Sequence, residues 1–372
     1  MRVVTVVGTR PEIIRLSRVI TKLDQHFEHT LIHTGQNYDY ELNEIFFSDL
    51  SLRSPDIYLD AARGAVAETI AQIIQKVDLE FEKINPDALL ILGDTNSCLS
   101  AIPAKRRKIP IFHMEAGNRC FDMRVPEEIN RKIVDHVADI NLTYSEIARE
   151  YLIAEGLPKD RIIRTGSPMR EVLNFYENKI DQSDILEKIG LAKQGYVLVS
   201  AHREENIEDE GRFSSLIDAL NLIASQSSIR VVVSTHPRTR QKVNTLSPEK
   251  SSSIEFLKPL AFTDYVRLQK NSKYVLSDSG TITEESSILG FDAVNIRDCH
   301  ERPEGMEEGS VMMSGLVAEN ILRCVDILSR QREMNSVFRT PNDYLPLNVS
   351  DKVVRLIASY TNYVNERVWL KK

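Results

Sequence analysis

Three carboxylates of this 372-residue chain have the types and positions that proton transfer requires. Asp94 and Glu115 each follow a short apolar run, and Glu127 comes directly after Pro126, a residue that favours a helix start. Carboxylates that share a pocket shift one another's pKa values, so they can divide the work of acid and base. The three residues are therefore candidates for general acid–base chemistry.

Simpler roles for two of these carboxylates stay open at the level of sequence. Asp94 could cap a helix that begins near Asn96, since aspartate is a favoured N-cap residue. Glu127 could stabilise the first turn of its helix and form an ion pair with Arg131 four residues on.

Two glycine-containing turns are candidates for anion binding. The turn Ser279-Gly280-Thr281 precedes a predicted helix that begins near Ile282, and a helix start offers unpaired N–H groups to a phosphate. Ser279 could instead be an ordinary N-cap. In the turn Gly8-Thr9-Arg10-Pro11, Arg10 could contact a phosphate or a base. Neither GxxxxGK[ST] nor GxGxxG follows a predicted strand, so the pattern predicts no P-loop and no common dinucleotide fingerprint.

Histidine and cysteine spacing predicts no metal site. The eight histidines form neither HxH nor HExxH, and none lies at ligand spacing from a cysteine. His202 and His236 end predicted strands and could reach a ligand. The four cysteines include no CxxC pair, which favours reduced thiols and a cytoplasmic protein.

Alternation of short β-branched runs with longer amphipathic stretches predicts an α/β fold with parallel sheets covered on both faces. The ten predicted strands are Val3–Val7, Thr30–His33, Ala88–Leu92, Ile109–Met114, Ile140–Tyr144, Ile162–Arg164, Tyr196–Ser200, Arg230–Ser234, Tyr274–Ser277 and Ala293–Ile296. We expect two doubly wound, Rossmann-like domains that face a cleft, with a TIM barrel as the alternative. Ligands bind at the carboxyl ends of strands in such sheets, which is where the polar residues above lie.

The predicted division of the chain places an N-terminal domain at 1–168 and a second domain at 169–350. The helix at 351–372 is expected to pack back on the first domain. A net charge of −7 and a pI near 5.7 speak against a nucleic-acid partner. No apolar run approaches the roughly 18–20 residues of a membrane span, and the N-terminus does not resemble a signal peptide.

Seven ordered motifs resemble those of the non-hydrolysing UDP-N-acetylglucosamine 2-epimerases. They are GTRPE (8–12), LGDTNS (92–97), HMEAGNR (113–119), PEEINRK (126–132), SAHREEN (200–206), SDSGTITEE (277–285) and RDCHERPE (297–304). The resemblance implies two Rossmann-like domains of the GT-B type, a homodimer, and inversion of carbon 2 of a UDP-N-acetylhexosamine without NAD, metal or other cofactor. A GT-B glycosyltransferase and a non-catalytic nucleotide-sugar sensor are the alternatives.

The resemblance also assigns roles to individual residues. It implies that Asp94, Glu115 and Glu127 are the acid–base carboxylates and that His202 lies near the diphosphate. The substrate-binding positions implied in the same way are Arg10, Arg131, Tyr265, Ser279, Gly280, Thr281, Glu285 and Arg302. Among them, the serine and glycine of the 279–281 turn would hold phosphates, the glutamate ribose, and the tyrosine uracil. Arg10 would contact the nucleotide, and Arg131 and Arg302 would contribute positive charge around the leaving diphosphate.

Two departures from the common pattern bear on the substrate. The stretch Gln36-Asn37-Tyr38-Asp39-Tyr40 stands where many bacterial members have Gln-His-Arg, which argues against an effector site for UDP-N-acetylglucosamine. Thr281 replaces the second glycine of the DSGG version. Both features resemble the UDP-N-acetyl-L-fucosamine synthase branch, which acts on UDP-2-acetamido-2,6-dideoxy-β-L-talose in capsule or O-antigen precursor synthesis. A UDP-N-acetylglucosamine epimerase is the alternative.

Overall fold

The structure is a computed structural model that describes residues 1–35, 40–61, 64–201, 206, 209–227, 229–235, 243 and 254–371. It divides into two compact units: unit 1 is Met1–Phe175 with Asn342–Lys372, and unit 2 is Tyr176–Pro341. The sequence-based division expected the boundaries at 168 and 350. The first unit extends to Phe175 because that ring receives the guanidinium of Arg18 at 3.4 Å from its centroid. It resumes at Asn342 because the Asp343 carbonyl accepts a hydrogen bond from the Ser167 amide at 2.8 Å.

Unit 1 contains a seven-stranded parallel sheet in the order β3-β2-β1-β4-β5-β6-β7. Its strands are β1 (Arg2–Val7), β2 (Glu28–His33), β3 (Ile57–Tyr58), β4 (Ala88–Leu92), β5 (Ile111–Ala116), β6 (Ile140–Thr143) and β7 (Ile162–Arg164). Its helices up to the boundary are α1 (Arg10–His26), α2 (Tyr40–Asp49), α3 (Val66–Ile84), α4 (Ala101–Arg106), α5 (Pro126–Val137), α6 (Glu146–Ala154) and α7 (Met169–Phe175). The central strands β4 and β5 are buried along their whole length, and β1 is buried from Val3 to Val7, as expected of strands covered on both faces.

Unit 2 contains a six-stranded parallel sheet in the order β10-β9-β8-β11-β12-β13. Its strands are β8 (Tyr196–Ser200), β9 (Arg230–Ser234), β10 (Ile254–Leu257), β11 (Tyr274–Ser277), β12 (Ala293–Asn295) and β13 (Met312–Met313). Its described helices are α8 (Glu177–Asp181), α9 (Ile185–Lys188), α10 (Glu210–Ser227), α11 (Phe262–Asn271), α12 (Ile282–Leu289), α13 (Pro303–Glu307) and α14 (Ala318–Glu333).

Both strand orders reverse direction at one point, between β1 and β4 in unit 1 and between β8 and β11 in unit 2. Crossovers on the two sides of such a point run to opposite faces of the sheet and leave a crevice outside the strand ends. The two open sheets exclude the TIM barrel and confirm the doubly wound α/β prediction.

All ten predicted strands are present, and the described residues contain three more: β3, β10 and β13. Each of the three is an edge strand of two to four residues. A strand of two to four residues is too short to show the alternation of apolar and polar residues from which strands are predicted. As an edge strand, each of the three also has only one neighbouring strand.

The C-terminal helix α15 (Val349–Arg367) belongs to unit 1. Its buried side chains include Val353 and Ile357, and its first turn reaches α1 through an ion pair of Asp351 with Lys22 at 3.0 Å. Within the described part of the chain, every helix is too short or too polar to cross a membrane.

Candidate active site

Asp94 lies two residues after the end of β4, beside the crevice of unit 1, and an arginine from α5 binds its side chain. Arg131 donates from Nε to Asp94 Oδ2 at 3.1 Å and pairs with the same oxygen through a second guanidinium nitrogen. The Asn130 amide donates to the Asp94 backbone carbonyl at 2.9 Å. Helix α5 therefore holds both the side chain and the backbone of Asp94. The 3₁₀ segment Asn96–Ser100 has Thr95 as its N-cap, so Asp94 does not cap it.

Glu115 belongs to the strand adjacent to β4, and its backbone is unusual. The strand β5 extends to Ala116, past the end predicted from sequence, because the pairing with β6 shifts by one residue between Met114 and Ala116. At this bulge Glu115 has a φ of 65°, in the left-handed region that costs a non-glycine residue roughly 1–2 kcal/mol.

Two polar side chains hold the Glu115 carboxylate. Arg15 from α1 forms a buried ion pair with one carboxylate oxygen, and Asn118 donates to the other at 3.1 Å. A methyl group placed on Gly93 would lie 3.5 Å from Glu115 Oε2, so this carboxylate packs against the residue that precedes Asp94. The structure thus brings Asp94 and Glu115 to neighbouring strand ends, each with its own arginine.

Glu127 and Glu128 occupy the first turn of α5 and differ in exposure. Glu127 is half-buried, whereas Glu128 is fully buried and accepts hydrogen bonds from the backbone amides of Cys120 at 3.1 Å and Phe121 at 3.3 Å. Burial alone would raise the pKa of Glu128, but the Cys120 amide and the guanidinium of Arg131 lower it below its ordinary value. Glu128 holds the loop before α5, and the sequence gives no signal for it beyond its place beside Glu127.

Glu12 in the first turn of α1 is a buried carboxylate that sequence reasoning did not single out. It accepts hydrogen bonds from the Gly8 amide at 3.0 Å and from Thr9 Oγ1 at 2.7 Å, after β1. It also accepts from Thr95 Oγ1 at 3.2 Å and from the hydroxyl of Ser97, after β4. One carboxylate therefore joins the two strand ends that border the crevice. The spacing Thr-x-x-Glu, typical of a capping box, is the signal that could have found it.

Burial raises the pKa of Glu12 to about 7, against the lowering effect of the hydrogen bonds from Ser97, Thr9 and Gly8. Close by, Arg10 lies over the ring of Phe46, with 5.5 Å between the guanidinium carbon and the ring centroid. Arg10, for which a nucleotide contact is predicted, lies after the end of β1, next to the turn that Glu12 holds.

In unit 2, the turn Ser279-Gly280-Thr281 lies between β11 and α12, at the reversal of strand order. Ser279 Oγ accepts a hydrogen bond from the Thr281 amide at 3.3 Å and lies 2.9 Å from Thr281 Oγ1. Thr281, and not Ser279, is the N-cap of α12, and its side chain makes no cap hydrogen bond. A Cβ on Gly280 would lie 3.2 Å from Glu301 Oε2, so the lack of a side chain leaves room for this close approach.

Glu285 and Tyr265, the predicted ribose and uracil residues, lie in one neighbourhood of unit 2. Gln269 of α11 donates from Nε2 to Glu285 Oε2 at 2.6 Å. Burial raises the pKa of Tyr265, the charge of Glu285 raises it further, and hydrogen bonds with Ser200 and Gln269 oppose the shift. Since Ser200 ends β8, these residues cluster at the β8–β11 reversal.

Arg302 is 1% exposed and donates from Nε to Glu284 Oε2 at 3.1 Å. A second arginine, Arg297, lies at the end of β12 and donates to Glu301 Oε1 at 2.9 Å. Arg302 therefore lies against α12 with a carboxylate partner. Arg297 lies near Gly280 and was not among the predicted site residues, because the binding role in this motif was assigned to Arg302.

His202 and His236 lie outside the described residues, as do the predicted departures at Gln36 to Asp39. Among the residues that the structure describes, no group of three or more histidine, cysteine, aspartate or glutamate side chains is arranged to hold a metal ion.

Comparison with known proteins identifies the family of the chain. The family model described as UDP-N-acetylglucosamine 2-epimerase matches residues 21–358. The chain belongs to this family of isomerases. A solved structure described as UDP-N-acetylglucosamine 2-epimerase from Rickettsia bellii is 50% identical, covers 100% of both chains and superposes with a TM-score of 0.94.

Two further relatives differ in the sugar that their names give. The Methanocaldococcus jannaschii UDP-GlcNAc 2-epimerase, solved in complex with UDP-GlcNAc and UDP, is 28% identical with a TM-score of 0.89, over 96% of this chain and 99% of that one. The Pseudomonas aeruginosa UDP-2,3-diacetamido-2,3-dideoxy-D-glucuronate 2-epimerase is 33% identical over 87% of this chain and 90% of its own length. Membership of the family thus leaves the sugar of this chain open.

Proposed function

We propose that this protein inverts carbon 2 of a UDP-N-acetylhexosamine by eliminating UDP and adding it back. The observation that carries the proposal is the pair Asp94 and Glu115, held at neighbouring strand ends by Arg131 and Arg15 in a chain of this family. Two buried arginines fix the orientation of the two carboxylates, as proton transfer requires.

Elimination explains why such a site needs carboxylates. The hydrogen on carbon 2 is not adjacent to a carbonyl, so direct removal by a base is prohibitive. When a base removes this proton while the C1–O bond to UDP breaks, a 2-acetamidoglycal forms. Return of a proton to the opposite face of carbon 2, with UDP adding to carbon 1, gives the epimer. We assign the acid and base roles to Asp94, Glu115 and Glu127 together, without dividing them.

We assign nucleotide binding to unit 2. The turn 279–281 at the start of α12 offers backbone amides and the hydroxyls of Ser279 and Thr281 to the diphosphate. Glu285, held by Gln269, is suited to accept hydrogen bonds from ribose hydroxyls, and Tyr265 is suited to the uracil pocket. Arg10, Arg302 and His202 complete the proposed set through the resemblance of their motifs.

For the sugar, the motif-level resemblance favours UDP-2-acetamido-2,6-dideoxy-β-L-talose, with UDP-N-acetyl-L-fucosamine as product for capsule or O-antigen synthesis. The name of the Rickettsia bellii structure favours UDP-N-acetylglucosamine, with UDP-N-acetylmannosamine as product. The test is to incubate the purified protein with each sugar nucleotide and to identify the product by NMR. Product from the talose derivative alone supports the first assignment, and product from UDP-N-acetylglucosamine alone overturns it.

The same incubation separates the other function classes. A GT-B glycosyltransferase would consume the sugar nucleotide only when an acceptor is added, and a sensor would bind it and form no product.

We also propose that the protein is a homodimer and that it is cytoplasmic, the location being in keeping with the four free cysteines. Light scattering should give twice the chain mass of 42.4 kDa, and a mass of one chain would contradict the dimer.

A further inference from the structure

The backbone of Glu115 needs support from its surroundings. Its φ of 65° and the register shift between Met114 and Ala116 place a non-glycine residue in a sparsely populated conformation. Such conformations persist only where neighbouring contacts determine them. The ion pair with Arg15 holds the end of the side chain, and a separate set of contacts holds the backbone on either side.

Asp135 of α5 supplies these contacts from beneath the bulge. Its Oδ1 lies 2.9 Å from His113 Nδ1, two residues before Glu115. Both of its carboxylate oxygens lie 3.2 Å from the backbone amide of Gly117, two residues after Glu115. Arg119 donates to Oδ2 at 2.7 Å. One buried carboxylate thus binds both flanks of the left-handed residue.

His113 extends this support to the neighbouring strand end. Its Nε2 donates to the carbonyl of Gly93 at 2.7 Å, and Gly93 in turn donates its amide to the Met114 carbonyl at 3.0 Å. Gly93 immediately precedes Asp94. Through one histidine, Asp135 is therefore connected to the backbone that carries both Asp94 and Glu115.

The energetics favour a rigid unit. The side chains of His113, Asp135 and Arg119 have no exposed surface. Burial would raise the pKa of Asp135, but the neighbouring His113 imidazole and the charge of Arg119 lower it, so the carboxylate is ionised at neutral pH. A buried ion with this many hydrogen-bond partners has little freedom to move.

We propose that Asp135 and His113 are positioning residues that hold the strand ends of β4 and β5 so that Asp94 and Glu115 meet the sugar in a reactive geometry. The inference rests on the proposed epimerase function. Neither residue touches substrate in this account, so their loss should lower kcat and leave KM and UDP binding close to wild type. A displacement near 1 Å of a reacting group costs on the order of a hundredfold in rate.

The kinetic test uses Asp135→Asn, His113→Ala and His113→Gln, with Glu155→Gln as the matched control. We expect kcat, calculated per mole of UDP-binding sites, to fall about a hundredfold in Asp135→Asn and in His113→Ala. The UDP affinity of both variants should stay within twofold of wild type. In His113→Gln the amide can still donate to the Gly93 carbonyl, and we expect part of the rate to return. Glu155 binds the outer side of Arg119 at 2.7 and 2.8 Å, so its loss should lower thermal stability and not kcat.

Counting UDP-binding sites corrects for any variant that folds incompletely. Wild-type kcat in the folded fraction of both Asp135→Asn and His113→Ala would overturn the positioning role. An equal loss of kcat in Glu155→Gln would also overturn the positioning role. Such a loss would show that removing either carboxylate partner of Arg119 lowers kcat, as a general structural role predicts.

A crystal structure of Asp135→Asn tests the inference without any activity assay. We expect Glu115 to leave the left-handed region or its carboxylate to move away from Arg15. An unchanged Glu115 backbone and ion pair would overturn the inference. Absence of epimerisation by the wild type would instead overturn the proposed function, and this structural result would still decide whether Asp135 positions Glu115. If Asp135→Asn does not fold, His113→Ala takes its place in this experiment.

Discussion

Replacing Glu12 with glutamine should change how the stability of unit 1 depends on pH. In the folded protein this carboxyl is 1% exposed and receives hydrogen bonds from donors after β1 and after β4. Glutamine has the same shape and can keep hydrogen bonds with Thr95 and Ser97 through its amide. The substitution therefore removes the titrating carboxyl group and leaves most of the packing around it in place.

The sign follows from the direction of the pKa shift. Burial raises the pKa of Glu12 from 4.5 to about 7, so between these values the folded state holds a proton that the unfolded state has released. The free energy of unfolding therefore decreases as pH rises through this window. At 1.36 kcal/mol for each pKa unit, the wild type should lose about 2.5 kcal/mol relative to the Glu12→Gln variant between pH 5 and pH 8.

Urea unfolding at several pH values measures this difference. The only tryptophan, Trp369, lies in unit 1, so its fluorescence reports on the unit that contains Glu12. Glu150→Gln, on the exposed face of α6, is the control and should follow the wild type at each pH. A difference between wild type and Glu12→Gln that stays constant from pH 5 to pH 8 would refute the reasoning, because it would show that Glu12 titrates alike in both states.

Four other substitutions test the account. Asp94→Asn and Glu115→Gln should each lose turnover by orders of magnitude while UDP affinity, measured by calorimetry, persists; near-normal turnover of either would remove that residue from the acid–base set. Gly280→Ala should weaken UDP binding about tenfold, about 1.4 kcal/mol, because its Cβ would lie 3.2 Å from Glu301 Oε2 in the turn that we assign to the diphosphate, and unchanged affinity would contradict that assignment. Gly117→Ala should lower the unfolding free energy by more than about 2 kcal/mol in urea, because the residue has a φ of 81° and its Cβ would lie 2.3 Å from the Ala148 carbonyl oxygen; wild-type stability would contradict this.

The fold could be predicted to the extent that its elements repeat a pattern. Central strands such as β4 are buried on both faces and appear as continuous apolar runs, and α5 begins at the proline that predicts its start. The edge strands β3, β10 and β13 could not be predicted, since a strand of two to four residues has no period.

The position of the candidate site at strand ends could be predicted from the sequence, but the ion pairs within it could not. Asp94 and Glu115 were found because each follows an apolar run in an α/β pattern. Their partners Arg131 and Arg15 lie 37 and 100 residues away in the chain, and such pairings depend on tertiary packing. The bulge at Glu115 was missed because an extra residue in a strand has no side-chain signature.

The central claim is that this protein makes and breaks the C–H bond at carbon 2 of a UDP-N-acetylhexosamine. The most direct measurement is to incubate the wild type in deuterated water with UDP-2-acetamido-2,6-dideoxy-β-L-talose and, separately, with UDP-N-acetylglucosamine, and to follow carbon 2 by NMR. Elimination and re-addition predict one deuterium at carbon 2 of the epimerised product from the true substrate. Recovery of both sugars without deuterium at carbon 2, from protein that binds UDP, would contradict the account.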